Sequence, residues 1–145
     1  MSKINFENIV KNSALRLTEL GYQIQDEPSL YSVEFWKIPV MGVYCLIGFD
    51  LFESSVLPYK FKVLLIRRRL SDFTDEESRY IPLYFDVRNL MLRLHRRDIF
   101  PSNQYAWEFT DESSLTKQVL NAQSFIVEYG INWLQDPISN KNWSE

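Results

Sequence analysis

Three runs rich in β-branched and aromatic residues follow one another between Leu30 and Leu70, and the short spacers between them constrain the fold more than anything else in the chain. Leu30 to Ile38 is the first, and Pro39 and Gly42 mark the turn after it. Val43 to Phe52 is the second. Its near-continuous apolar content predicts a central strand covered on both faces, with Gly48 at a bulge. A polar loop, Glu53 to Pro58, leads to the third run, Tyr59 to Leu70, where Lys60 and Lys62 alternate with Phe61, Val63 and Leu65. Parallel neighbours need crossover connections of about a dozen residues or more, so these runs form an antiparallel meander.

Two amphipathic helices bracket the meander. In residues 3–20, Phe6, Ile9, Val10, Ala14, Leu17 and Leu20 lie on one side of a helix, and Gly21 closes it. Near the other end, Leu115, Val119, Ala122, Ile126 and Tyr129 recur in steps of four and three and define a helix over 112–129. Thr110 or Asp111 supplies its N-cap, and Asp111 and Glu112 face the positive end of its dipole. Gly130 suits a left-handed C′ position, the apolar Ile131, Trp133 and Leu134 follow in a segment too short for another helix, and Asp136-Pro137 stops the chain. Trp107 and Trp133 are expected to clamp this helix to the sheet.

Shorter elements complete the pattern: strands over 22–27, 80–86 and 105–109, the last at an edge, and an exposed acidic loop over 71–78. Residues 87–97 admit two periodicities. Val87, Leu90, Met91 and Leu94 fit a helix, which is preferred, whereas Leu90, Leu92 and Leu94 alternate as in a strand. The expected fold is therefore α+β, an antiparallel sheet of about four to six strands with an N-terminal and a C-terminal helix packed on it. With 46% apolar and 15% aromatic residues in 145, residues 1–137 form one domain and 138–145 a flexible tail. No stretch resembles a membrane span or a leader, which predicts a cytoplasmic protein without membrane contact.

The chemistry-bearing residues exclude more than they suggest. His95 is the only histidine and Cys45, inside an apolar strand, the only cysteine, so a four-ligand zinc site is impossible within one chain and a Cys-His nucleophile is disfavoured. Asp72, Asp75, Glu76 and Glu77 lack the spacing and glycine of a calcium loop. The four glycines are isolated, so neither a P-loop nor a dinucleotide fingerprint exists. No catalytic, metal or cofactor residues are assigned, and no cofactor is expected. Acids on different elements, such as Asp50 and Glu108, leave a carboxylate-based hydrolase as a second alternative.

Charge is the remaining signal. Residues 60–98 carry ten of the sixteen Lys and Arg but six of the nineteen Asp and Glu, a net of +4 against −7 for the rest of the chain. Arg67, Arg69, Arg93, Arg96 and Arg97 are the candidate binding surface, because guanidinium groups fork onto carboxylate or phosphate. On a strand, Arg68 faces away from Arg67 and Arg69. A protein partner is favoured. Nucleic acid or a nucleotide is the first alternative, disfavoured because such domains are usually basic overall.

The C-terminal third, Trp107-Glu108-Phe109-Thr110 and then Glu128-Tyr129-Gly130-Ile131-Asn132-Trp133-Leu134, resembles the end of several families of small uncharacterised bacterial domains. In those families an N-terminal helix precedes a sheet, and the final helix ends in a Gly-x-x-Trp-Leu-like segment, with proline often standing where this chain has Asn132. The resemblance covers about a third of the chain. It implies an α+β fold and a non-catalytic protein-binding role of immunity or accessory type.

Overall fold

The computed structural model describes residues 3–25, 31–40, 43–53, 56–69, 83–86 and 106–135. They form an α+β fold. Helices α1 (Lys3–Ser13) and α2 (Leu15–Glu19) lead into strands β1 (Gln23–Ile24), β2 (Ser32–Val40), β3 (Val43–Leu51), β4 (Tyr59–Arg69), β5 (Leu83–Asp86) and β6 (Trp107–Phe109). Helix α3 (Glu112–Phe125) then passes through a π-helical turn (Ile126–Gly130) into α4 (Ile131–Gln135).

All strand pairs are antiparallel, in the order β1-β2-β3-β4-β5 with β6 also on β4, so the meander stands as expected. Because β3 occupies one edge of β4 from Phe61 to Arg69, β5 and β6 must share the other. They do so end to end, β5 opposite Leu64 to Arg67 and β6 opposite Tyr59 to Phe61.

One face of the sheet carries the core. Val33 and Phe35, then Cys45, Ile47 and Phe49, then Phe61, Val63 and Leu65 are buried, as the period-two rule requires. Helices cover them with Phe6, Val10, Leu17, Leu115, Val119, Ala122, Phe125 and Ile126. Trp107 lies stacked on Phe61 at 5.6 Å between centroids and edge-on to Phe125 at 6.1 Å, tying β6, β4 and α3 together as expected of it. Trp133 is described as a backbone position within α4.

Helix α3 starts where the sequence indicates. Asp111 is its N-cap: Ser114 donates its backbone N–H to Asp111 Oδ1 at 2.8 Å, and Ser114 Oγ accepts from the backbone N–H of Asp111 at 3.0 Å. Hydrogen bonds from the backbone and the side chain of Ser114 favour the charged carboxylate and hold Asp111 below its usual range.

Five expectations are corrected. Residues 3–20 are two helices, broken at Ala14, whose ψ of 45° leaves the helical region. The amide of Arg16 in the first turn of α2 finds a partner across the structure, donating to Gln123 Oε1 of α3 at 2.8 Å. Gly21 does close the pair, with φ of 95° and the two backward bonds of a Schellman motif, Gly21 N–H to Thr18 O and Tyr22 N–H to Leu17 O.

Pro39 does not end its strand. β2 runs to Val40, and its register with β3 shifts between Lys37 and Val40, accommodating a residue with no N–H to donate. Gly48, in contrast, sits in unbroken register opposite Leu64 and Glu34 and marks no bulge.

Gly130 does not take a left-handed conformation; the helix continues through it into α4. Its role is close approach, since an added Cβ would lie 3.0 Å from Leu65 Cδ1. Finally, β3 is central but fully buried on one face only: Cys45, Ile47 and Phe49 are buried, whereas on the other face Gly48 is buried and Tyr44, Leu46 and Asp50 are partly exposed. Residues 71–78, 87–97 and 138–145 lie outside the described residues.

Candidate functional site

The partly exposed face of the sheet is built in cross-strand rows. Ser32, Asp50 and Lys62 stand side by side, next to Glu34, Gly48 and Leu64, then Trp36, Leu46 and Ile66. Ser32 Oγ donates to Asp50 Oδ1 at 2.7 Å, and the Trp36 ring stacks on Tyr44 at 6.2 Å. Lys62 Nζ lies 5.9 Å from the centre of the Phe52 ring. At the far end of this face, Lys60 pairs with Glu108 at 3.7 Å.

A groove of about 420 Å³ opens on these rows, lined among others by Leu46, Gly48, Leu64, Glu34, Asp50 and Glu53. Leu46, Leu64 and Ile66 give it an apolar floor, and Gly48 leaves that floor without a side chain at its centre. Among the described residues three carboxylates line it, and Lys62 stands beside one of them, Asp50, on the neighbouring strand. Beyond Leu51 and Glu53 at its end, the β3–β4 connection exposes Phe52, Val56 and Leu57.

Of the arginines singled out from sequence, Arg67 and Arg69 belong to β4, where they stand opposite Cys45 and Val43 of β3, and Arg67 also opposite Leu83 of β5. They occupy alternate positions of one strand, as expected. Arg93, Arg96 and Arg97 lie outside the described residues. The groove was missed because its acids, Glu34, Asp50 and Glu53, are separated along the chain and only strand pairing gathers them. A signal did exist: a glycine in mid-strand flanked two residues away by Leu46 and Asp50.

The buried polar groups elsewhere are structural. Cys45 is fully buried and its thiol donates to the Leu134 carbonyl at 2.9 Å, linking β3 to α4. Burial, reinforced by neighbouring Cys45, pushes the Tyr22 phenol above its ordinary range, so it stays protonated. Among the described residues, no group of three or more His, Cys, Asp or Glu is arranged to hold a metal ion, and no helix is long and apolar enough to cross a membrane.

No protein-family model, no curated protein and no solved structure matches the chain.

Proposed function

We propose that the chain is a non-catalytic binding domain of the bacterial cytoplasm, an accessory or immunity-type factor that docks a protein partner on the outer face of its sheet. One observation carries this: the sheet holds a groove with an apolar floor and acidic residues in its lining, and the β3–β4 connection that begins at its Leu51 and Glu53 exposes Phe52, Val56 and Leu57. Contiguous exposed apolar surface edged by polar groups is the usual form of a protein interaction site. The same three carboxylates repel phosphate, so polyanion binding through the arginine clusters would have to use a different surface.

The test is affinity capture from the native host with the wild-type chain, followed by reconstitution with the purified partner. Stoichiometric binding should survive Leu120→Glu on the helical side and disappear with Leu64→Lys on the sheet. A partner indifferent to Leu64→Lys, or no stoichiometric partner, defeats the proposal.

Carboxylate-based hydrolysis is the second reading, favoured by the convergence of Glu34, Asp50 and Glu53 on one groove. It requires aryl-glycoside or ester turnover that Glu34→Gln or Asp50→Asn abolishes; turnover unchanged in both removes it.

A further inference from the structure

The helical stretch that ends at Gln135 changes its winding at one place. The N–H of Ile131 bonds back to the Ile126 carbonyl, five residues earlier, so Ile126–Gly130 is a π-turn set between two α-helical segments. The turn contains no proline that would force a break there.

The buried positions show what this change of winding accomplishes. An α-helix advances by about 100° per residue. Leu115, Val119, Ala122 and Ile126 therefore share one buried face, because the eleven residues from Leu115 to Ile126 miss three whole turns by only about 20°. Gly130 and Leu134 are buried too, four and eight residues beyond Ile126. Continued α-winding would carry Leu134 about 80° off that face. A π-turn holds roughly one residue more than an α-turn, which takes up most of this angle. Its product is visible on β3: Leu134 is fully buried in the core, and its carbonyl accepts from the Cys45 thiol at 2.9 Å. The same shift explains why the buried face passes from Ile126 to Gly130, while Tyr129, the next step of the α-period, is only partly buried.

We propose that the π-turn is a phase corrector built into this helix: it holds one residue more than a continuous α-helix would need to bring Leu134 onto the sheet, and the exposed Glu128 is dispensable as that residue. With Glu128 deleted, Leu134 stands seven residues after Ile126, and plain α-winding places it within about 20° of the same face.

The experiment compares the wild-type chain with two deletions of exposed residues, Glu128 in the π-turn and Asn121 in the α-helical part of α3. Two readouts are taken: Tm, and the rate at which native protein reacts with a thiol reagent, for which Cys45, the only cysteine, is the probe. Deletion of Glu128 should leave cooperative unfolding, a Tm within a few degrees of wild type and a protected thiol. Deletion of Asn121 turns Ala122, Phe125 and Ile126 by about 100° relative to Leu115 and Val119 and should lower Tm by about 10 °C or more. Leu134→Ala should lower Tm equally with and without Glu128.

A Glu128 deletion as damaging as the Asn121 deletion, or one that makes Cys45 reactive, would overturn the proposal. So would an Asn121 deletion tolerated as well as that of Glu128, since the helix would then have no phase to correct. A Leu134→Ala substitution without effect in the Glu128-deleted chain would show that Leu134 has left the core, with the same consequence.

Discussion

Gly130 approaches Leu65 so closely that a Cβ on the glycine would stand 3.0 Å from Leu65 Cδ1. Two effects of Gly130→Ala therefore compete. Alanine favours a helix by about 1 kcal/mol, but the methyl must displace a fully buried leucine, and overpacking costs roughly 1–3 kcal/mol. The clash wins, so Gly130→Ala should lower stability in urea denaturation. Adding Leu65→Val should recover part of that loss, and additive effects of the two substitutions would show that they do not touch.

The link between Gln123 and the amide of Arg16 makes a second prediction. Gln123→Ala removes the acceptor for an N-terminal amide of α2. Comparable losses of cap acceptors cost about 0.5–1 kcal/mol at exposed sites. Gln123→Glu keeps an acceptor and should stay close to wild type. Equal midpoints for all three chains in urea would mean that water replaces the side chain.

Trp107 bridges Phe61 and Phe125 and is buried. Truncation to alanine should cost about 3–5 kcal/mol, whereas Trp107→Phe, which keeps a ring against Phe61, should cost less than half of that. Thermal unfolding distinguishes the two variants. An unchanged Tm for Trp107→Ala would contradict the clamp.

Asp111 sets a pH dependence whose sign follows from its lowered folded-state pKa. The carboxylate's contribution is complete above the unfolded value, about 3.9, and disappears as pH falls through the lower folded value. Asn at the same position still accepts a hydrogen bond but does not titrate. Wild type should therefore lose stability relative to Asp111→Asn on acidification below about pH 5, with the gap closing to a constant once both folded and unfolded forms are protonated. A difference independent of pH would show that the cap bonds do not depend on charge.

Local chemistry alone determined a large part of this protein. Alternation in Tyr59–Arg69, the four-and-three spacing of Leu115 to Ile126, the Asp111 cap and the Gly21 closure are each decided within a few residues, so period and capping rules recover them. Tertiary contact decided the rest. Ala14 breaks a helix that its periodicity would continue, because α3 supplies an acceptor for the amide exposed in the next turn. Gly130 has the composition of a helix end, yet the helix runs through it, since there the missing side chain answers Leu65 on the sheet. Gly48 is the same residue with the opposite surroundings, no neighbour pressing on it and a hollow above it. The acids of the groove stand 16 and 3 residues apart along β2, β3 and the following loop, and only antiparallel pairing brings them to one rim. Sequence spacing expresses which face a residue takes on its own element; which residues from other elements meet it there depends on how the elements pack.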